Sequence, residues 1–113
     1  MKLPERFALL VSRGKVIEYL LSETHVDGRH KAKFFRLNGF SPEKWEQLSD
    51  LLLSHGQRFE IAHEEAYPYG THYTVEGSVE IPGGRTLNIR TVWIVSAGAV
   101  EARLVTAYPL EGR

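Results

Sequence analysis

Hydrophobic positions recur at helical spacing in the first half of the chain and alternate in the second, which predicts helices followed by strands. Phe7, Leu9 and Val11 alternate with Ala8 and Leu10 in a short stretch of strand or coil. Ser12 is placed to cap a helix over about 13–22 that carries Val16, Ile17, Tyr19, Leu20 and Leu21. The segment SETHVDG ends that helix, and GRHKAKFFRLNGF, residues 28–40, forms the next, closing at Asn38 and Gly39 as its C-cap. At about 100° per residue, Phe34, Phe35 and Leu37 are expected on one arc, with His30 and Lys31 inside it one turn earlier. Arg29, Lys33 and Arg36 take the opposite side, so this reading turns a His and a Lys toward the core.

SPEKWEQLSDLLLSHG is the clearest helix, with Ser41 as N-cap, Pro42 at the first position, Glu43 and Glu46 in the first turns and Gly56 past the end. Its buried stripe is expected to be Trp45, Leu48, Leu51 and Leu52. After Gly56 the period changes. Phe59 and Ile61 mark a strand near 57–64, EEAYPYGT a loop, and Tyr73, Val75, Val79 and Ile81 a second strand. PGG at 82–84 is a tight hairpin, Leu87 to Val95 a third strand, and VEARLVTAY at 100–108 a fourth that Pro109 ends. The expectation is an α+β fold: about three N-terminal helices packed on one face of a four-stranded antiparallel sheet. The helical half covers about 1–56 and the stranded half about 57–109 of a single domain, 1–113.

Composition narrows the function classes. A chain of 113 residues supports one core, and 14 basic against 14 acidic residues argue against a surface that coats nucleic acid, while leaving room for a local phosphate site. With no cysteine, a disulfide framework, a thiolate metal site and a Cys nucleophile are all excluded. The N-terminus MKLPERFALLVSRGK is too charged for a signal peptide and no stretch approaches a membrane span, so a soluble, cytoplasmic protein with no membrane partner is expected.

Two polar constellations stand out. His30 and Lys31 at a helix start, where free N–H groups and the macrodipole favour an anion, make a candidate phosphate site. The alternative is structural: His30 bonds a loop carbonyl and Lys31 snorkels past the aromatic rings. In RTLNIRTVWIVSAG, alternation puts Leu87, Ile89, Thr91, Trp93 and Val95 on one face and Asn88, Arg90, Val92 and Ile94 on the other. A strand apolar on both sides is normally covered on both, which makes Arg90 either a cleft cation or the partner of a carboxylate such as Glu76 or Glu101. The five histidines include no pair at one-turn spacing, and only His63 and His72, flanking one loop, could meet, so no metal or other cofactor is expected. Tyr67, Tyr69 and Tyr73 either close a loop over the core or stack a base.

The succession GRHKAKFF, GFSPEKWEQLSDLL, YGTHYTVEG, RTVWIV and RLVTAYP, from about Leu3 to Pro109, resembles an uncharacterised bacterial domain family. That family occurs as small stand-alone proteins and as terminal domains of polymorphic toxins and phage-derived proteins. It is in turn similar to the barnase, EndoU, colicin E5/D and RelE group of nucleases, the BECR fold. The resemblance implies a metal-independent ribonuclease of toxin type, with RNA and a cognate antitoxin or immunity protein as partners. It implies His30 as acid/base, Lys31 as its phosphate partner, Arg90 as an electrostatic clamp, and Thr106 beside them in the catalytic set. Thr91 and Tyr108 would orient the phosphate, Arg29 would add a substrate contact, and His72 or Tyr73 would supply the second proton-transfer group. The competing expectation is a non-catalytic interaction module of a toxin–antitoxin-like pair, or an anion- or nucleotide-binding domain.

Overall fold

The structure is a computed structural model that describes residues 1–26 and 28–110. Among them the chain forms β1 (Ala8–Leu10), α1 (Arg13–Lys15) with a π-helical continuation (Val16–Leu20), α2 (Arg29–Leu37), and a 3₁₀ turn (Pro42–Lys44) leading into α3 (Trp45–Arg58). Four strands follow: β2 (Ile61–Tyr67), β3 (Gly70–Glu80), β4 (Thr86–Ser96) and β5 (Glu101–Pro109). The sheet order is β1-β5-β4-β3-β2, and β2 to β5 form the expected antiparallel meander.

The sheet has five strands among the described residues, not four. β1 joins the edge in parallel with β5, pairing Ala8 with Glu101 and Leu10 with Arg103. Three residues, two of them exposed, give alternation too little length to register, and the partner lies some ninety positions away, so periodicity carries no sign of this pairing. The segment expected as a loop is also mostly strand. β2 and β3 meet at a two-residue turn, Pro68 and Tyr69, closed by the pair Tyr67 and Gly70.

Local signals explain the helix ends. Ser12 Oγ accepts the Lys15 N–H at 3.0 Å. α2 closes in a Schellman arrangement: Gly39 has φ +96°, its N–H reaches the Arg36 carbonyl at 3.1 Å, and Phe40 N–H reaches Phe35 O at 3.1 Å. α3 runs on to Arg58, so Gly56 lies inside it, where a Cβ would sit 2.5 Å from Trp93 Cζ2. This glycine is required by helix–sheet packing rather than by termination.

α3 lies on one face of the sheet. Its Leu48, Leu52, His55 and Gly56 are buried with Val75, Val79, Ile89 and Trp93, while Trp45 and Leu51 pack at the margin. Along β4, Leu87, Ile89, Thr91, Trp93 and Val95 are buried, whereas Arg90, Val92 and Ile94 on the opposite face are only half-covered. α2 packs beside β5 and against the π-helical stretch, whose Tyr19 reaches Thr106 of β5. The half-open face thus meets the start of α2 along β5.

Candidate functional site

Gly28 brings α2 against the preceding helix. A Cβ there would lie 2.3 Å from the Tyr19 carbonyl oxygen, so a bare backbone is what allows the approach. The Gly28 N–H donates to His25 Nδ1 at 3.1 Å, and the His25 ring stands edge-on to Tyr19 at 4.9 Å between centroids.

The inward face of α2 differs from expectation. Ala32 and Phe35 are buried, Lys31 and Phe34 half-buried, and His30 and Leu37 exposed, Leu37 at 74%. At about 100° per residue from Phe35, Ala32 and Lys31 fall about 60° and 40° away, whereas His30 falls about 140° away. The inward His is therefore corrected to a rim His, and the inward Lys stands in part. The Lys31 ammonium reaches Tyr19, 5.2 Å from its ring centroid.

His30, Lys31, Thr106, Tyr108 and Pro109 line one groove of about 390 Å³ between α2 and the end of β5. On the far side of α2, Glu23, Arg29, His30, Lys33, Arg36 and Leu37 line a second, leaving His30 on the ridge between them. Tyr19, anticipated only as an apolar helix position, stands next to that wall: its hydroxyl hydrogen-bonds Thr106 Oγ1 at 3.2 Å. Lys15 lies over the same ring at 4.8 Å. Burial alone would raise the Tyr19 phenol, but hydrogen bonds from Lys31 and Thr106 and the charges of Lys31 and Lys15 outweigh it and hold the phenol below its ordinary value.

Arg90 connects to this groove through Tyr108. The register places Glu76, Arg90 and Tyr108 side by side across β3, β4 and β5. Arg90 Nη1 donates to the Tyr108 hydroxyl at 3.1 Å and Nε to Glu76 Oε2 at 2.8 Å, with Nη2 on the same carboxylate oxygen. Bonds to Tyr108 and Glu76 hold the guanidinium still more firmly protonated than usual. Of the two carboxylates considered for Arg90, Glu76 is the partner; Glu101 stands 3.9 Å from Arg103.

Other residues expected at the site lie elsewhere. Thr91 is fully buried on the α3 side, where its Oγ1 accepts from Trp93 Nε1 at 2.8 Å and meets His55 Nδ1 at 2.9 Å. Tyr73 packs on that same core side, 6.2 Å from Phe7. His72 is on the open face but four residues along β3 from Glu76, roughly 13 Å at strand rise, where it packs edge-on to Tyr67 and Tyr69. Arg29 is exposed on the second groove. His63 stands opposite Thr74 rather than His72, and among the described residues no three His, Asp or Glu side chains converge. No helix among them is long and apolar enough to cross a membrane.

Comparison with known proteins adds family and fold. The model of a domain of unknown function, DUF6883, matches residues 2–111. The fold is similar to that of a chain in the solved contact-dependent growth inhibition toxin–immunity protein complex from Klebsiella pneumoniae 342, with a TM-score of 0.66 and 15% identity. The match covers 90% of this chain and 93% of that one. No curated protein is similar enough to count as a match.

Proposed function

The chain belongs to the DUF6883 family, and we propose that it is a toxin-type, metal-independent ribonuclease of the BECR kind whose site is the groove between α2 and β5. The observation that carries this reading is a concentration of cations in a chain whose formal net charge is zero. α2 opens with Arg29, His30 and Lys31 and has no acidic residue in its first turn. Positive side chains at the positive end of a helix cost about 0.3–1 kcal/mol each, a cost that a bound phosphate would reverse. Lys31, Thr106 and Tyr108 line the groove into which that helix end opens, and Arg90 is held at its edge by Tyr108.

On this reading Lys31 and Arg90 bind the scissile phosphodiester, Thr106 and Tyr108 orient it, and His30 on the rim exchanges a proton with the leaving oxygen. The chain of similar fold comes from a toxin–immunity protein complex, which supports a cognate immunity partner covering the groove. The test is cleavage of mixed transfer RNA and single-stranded RNA in EDTA. The expected result is cleavage by the unsubstituted protein, lost in His30→Ala and Arg90→Ala with both variants still folded.

One observation favours a second reading, a non-catalytic half of such a pair: the Arg90 guanidinium already has Glu76 as a partner. In that case the protein leaves RNA intact, expresses freely without a partner, and Arg90→Ala lowers stability alone.

A further inference from the structure

We propose that Tyr19 is the general base at this groove, taking the proton of the attacking hydroxyl as a phenolate with Lys15 and Lys31 over its ring. The assignment rests on the ribonuclease reading and supplies what that reading lacks, a second proton-transfer group. Neither residue expected in that role is suitably placed: Tyr73 is on the core side and His72 is remote along β3.

Three geometric features support it. Two ammonium groups from different helical elements lie 4.8 Å and 5.2 Å from the Tyr19 ring centroid. Both ammonium groups lie over one electron-rich ring, and negative charge on the phenol oxygen would strengthen both attractions. The hydroxyl itself meets Thr106 Oγ1 at 3.2 Å, and Thr106 lines the groove together with Lys31 and His30. A neutral phenol can accept from Lys31 while donating to Thr106; a phenolate accepts from both, so its charge forms without rearrangement. Finally, Tyr19 lies in the π-helical stretch Val16–Leu20, whose wide turn is closed by the Leu21 N–H on Val16 O at 2.8 Å. Among the described residues, the titratable and charged groups against Tyr19 are Lys15, Lys31 and His25, and the His25 Nδ1 is engaged as acceptor for Gly28. The lowered phenol value agrees with this set.

In the bond-making step the Tyr19 phenolate oxygen takes the proton of a ribose 2′-hydroxyl as that oxygen forms a bond to phosphorus. The bond from phosphorus to the 5′-oxygen breaks, and the protonated His30 ring gives its proton to the departing oxygen. The products are a 2′,3′-cyclic phosphate and a 5′-hydroxyl, with Tyr19 neutral and His30 deprotonated until solvent restores both.

The test reads Tyr19 directly and then through activity. In an ultraviolet titration of the chain's five tyrosines, one is expected to ionise before the others. That step should vanish in Tyr19→Phe and move up toward about 10 in Lys31→Met. Tyr19→Phe, confirmed folded by its thermal transition, should cleave RNA about 10²-fold more slowly and lose the rise of rate with pH. An early step that persists in Tyr19→Phe, or cleavage by that variant at full rate with an unchanged profile, overturns the assignment and leaves the ribonuclease reading standing. Absence of cleavage by the unsubstituted protein overturns both.

Discussion

Replacing Thr91 by Val separates a structural threonine from a substrate-binding one. His55 Nε2 faces the carbonyl oxygens of Ile89 at 3.0 Å and Gly77 at 3.2 Å, which only accept, so Nε2 carries the proton. In the neutral ring Nδ1 is therefore bare and accepts the Thr91 hydroxyl proton, while Thr91 Oγ1 accepts the Trp93 indole N–H. Valine keeps the shape and removes both bonds. The indole N–H and the His55 Nδ1 are then buried without partners, at about 1–3 kcal/mol each, offset by about 1 kcal/mol for the extra buried methyl. The net loss is about 1–5 kcal/mol out of a typical total of about 5–15. With a urea dependence of about 1.5 kcal/mol per molar, the unfolding midpoint falls by about 0.7–3.3 M. Thr91→Ser, which keeps the hydroxyl, should fall much less. A Thr91→Val midpoint within about 0.3 M of the parent, or a serine variant as weak as the valine one, refutes the network. Lost RNA cleavage with stability intact would return Thr91 to the substrate site.

Three more outcomes are expected. Burial lowers the His55 pKa, helped by the Arg58 charge and opposed by the Gly77 and Ile89 carbonyls; the unfolded chain therefore takes up the proton first, near 6.5. Stability is complete above that pH and declines as pH falls below it, by at most about 1.4 kcal/mol per unit for this group, and urea midpoints for His55→Gln should lack that contribution. Gly28→Ala forces a Cβ against the Tyr19 carbonyl, costing about 1–3 kcal/mol by thermal melting and slowing RNA cleavage by displacing Lys31. Glu76→Gln frees the Arg90 guanidinium; since both side chains are about one-third exposed (33% each), stability changes by less than about 1 kcal/mol, while RNA binding tightens and its salt dependence steepens by about one charge.

The meander, the helix-first order and the caps at Ser12 and Gly39 are legible in the sequence because each depends on neighbours within a few residues. β1 is not, since its pairing with β5 closes over most of the chain. At the site, the basic start of α2 and the anomaly of Arg90 can be read from residue type and alternation. Which face opens to solvent cannot: alternation places Thr91 and Arg90 on opposite sides without saying that α3 covers the first. The phase of His30 is lost because an arc drawn through Phe34, Phe35 and Leu37 spans about 160° and takes in His30 near its Leu37 end, whereas the buried arc is centred on Phe35. Tyr19 escapes notice because a tyrosine among Val16, Ile17, Leu20 and Leu21 fits an apolar stripe. Its polar tip and Lys15 one turn earlier are the available signals, and Lys31 reaches the same ring only through tertiary packing.

The most direct measurement is cleavage of one single-stranded RNA in EDTA beside the same oligonucleotide built on 2′-deoxyribose, with analysis of the product ends. A groove that uses the substrate's own 2′-hydroxyl predicts that the RNA is cut to 2′,3′-cyclic phosphate ends and the deoxy strand is bound but left whole. Cutting of both strands, or of neither, would contradict it.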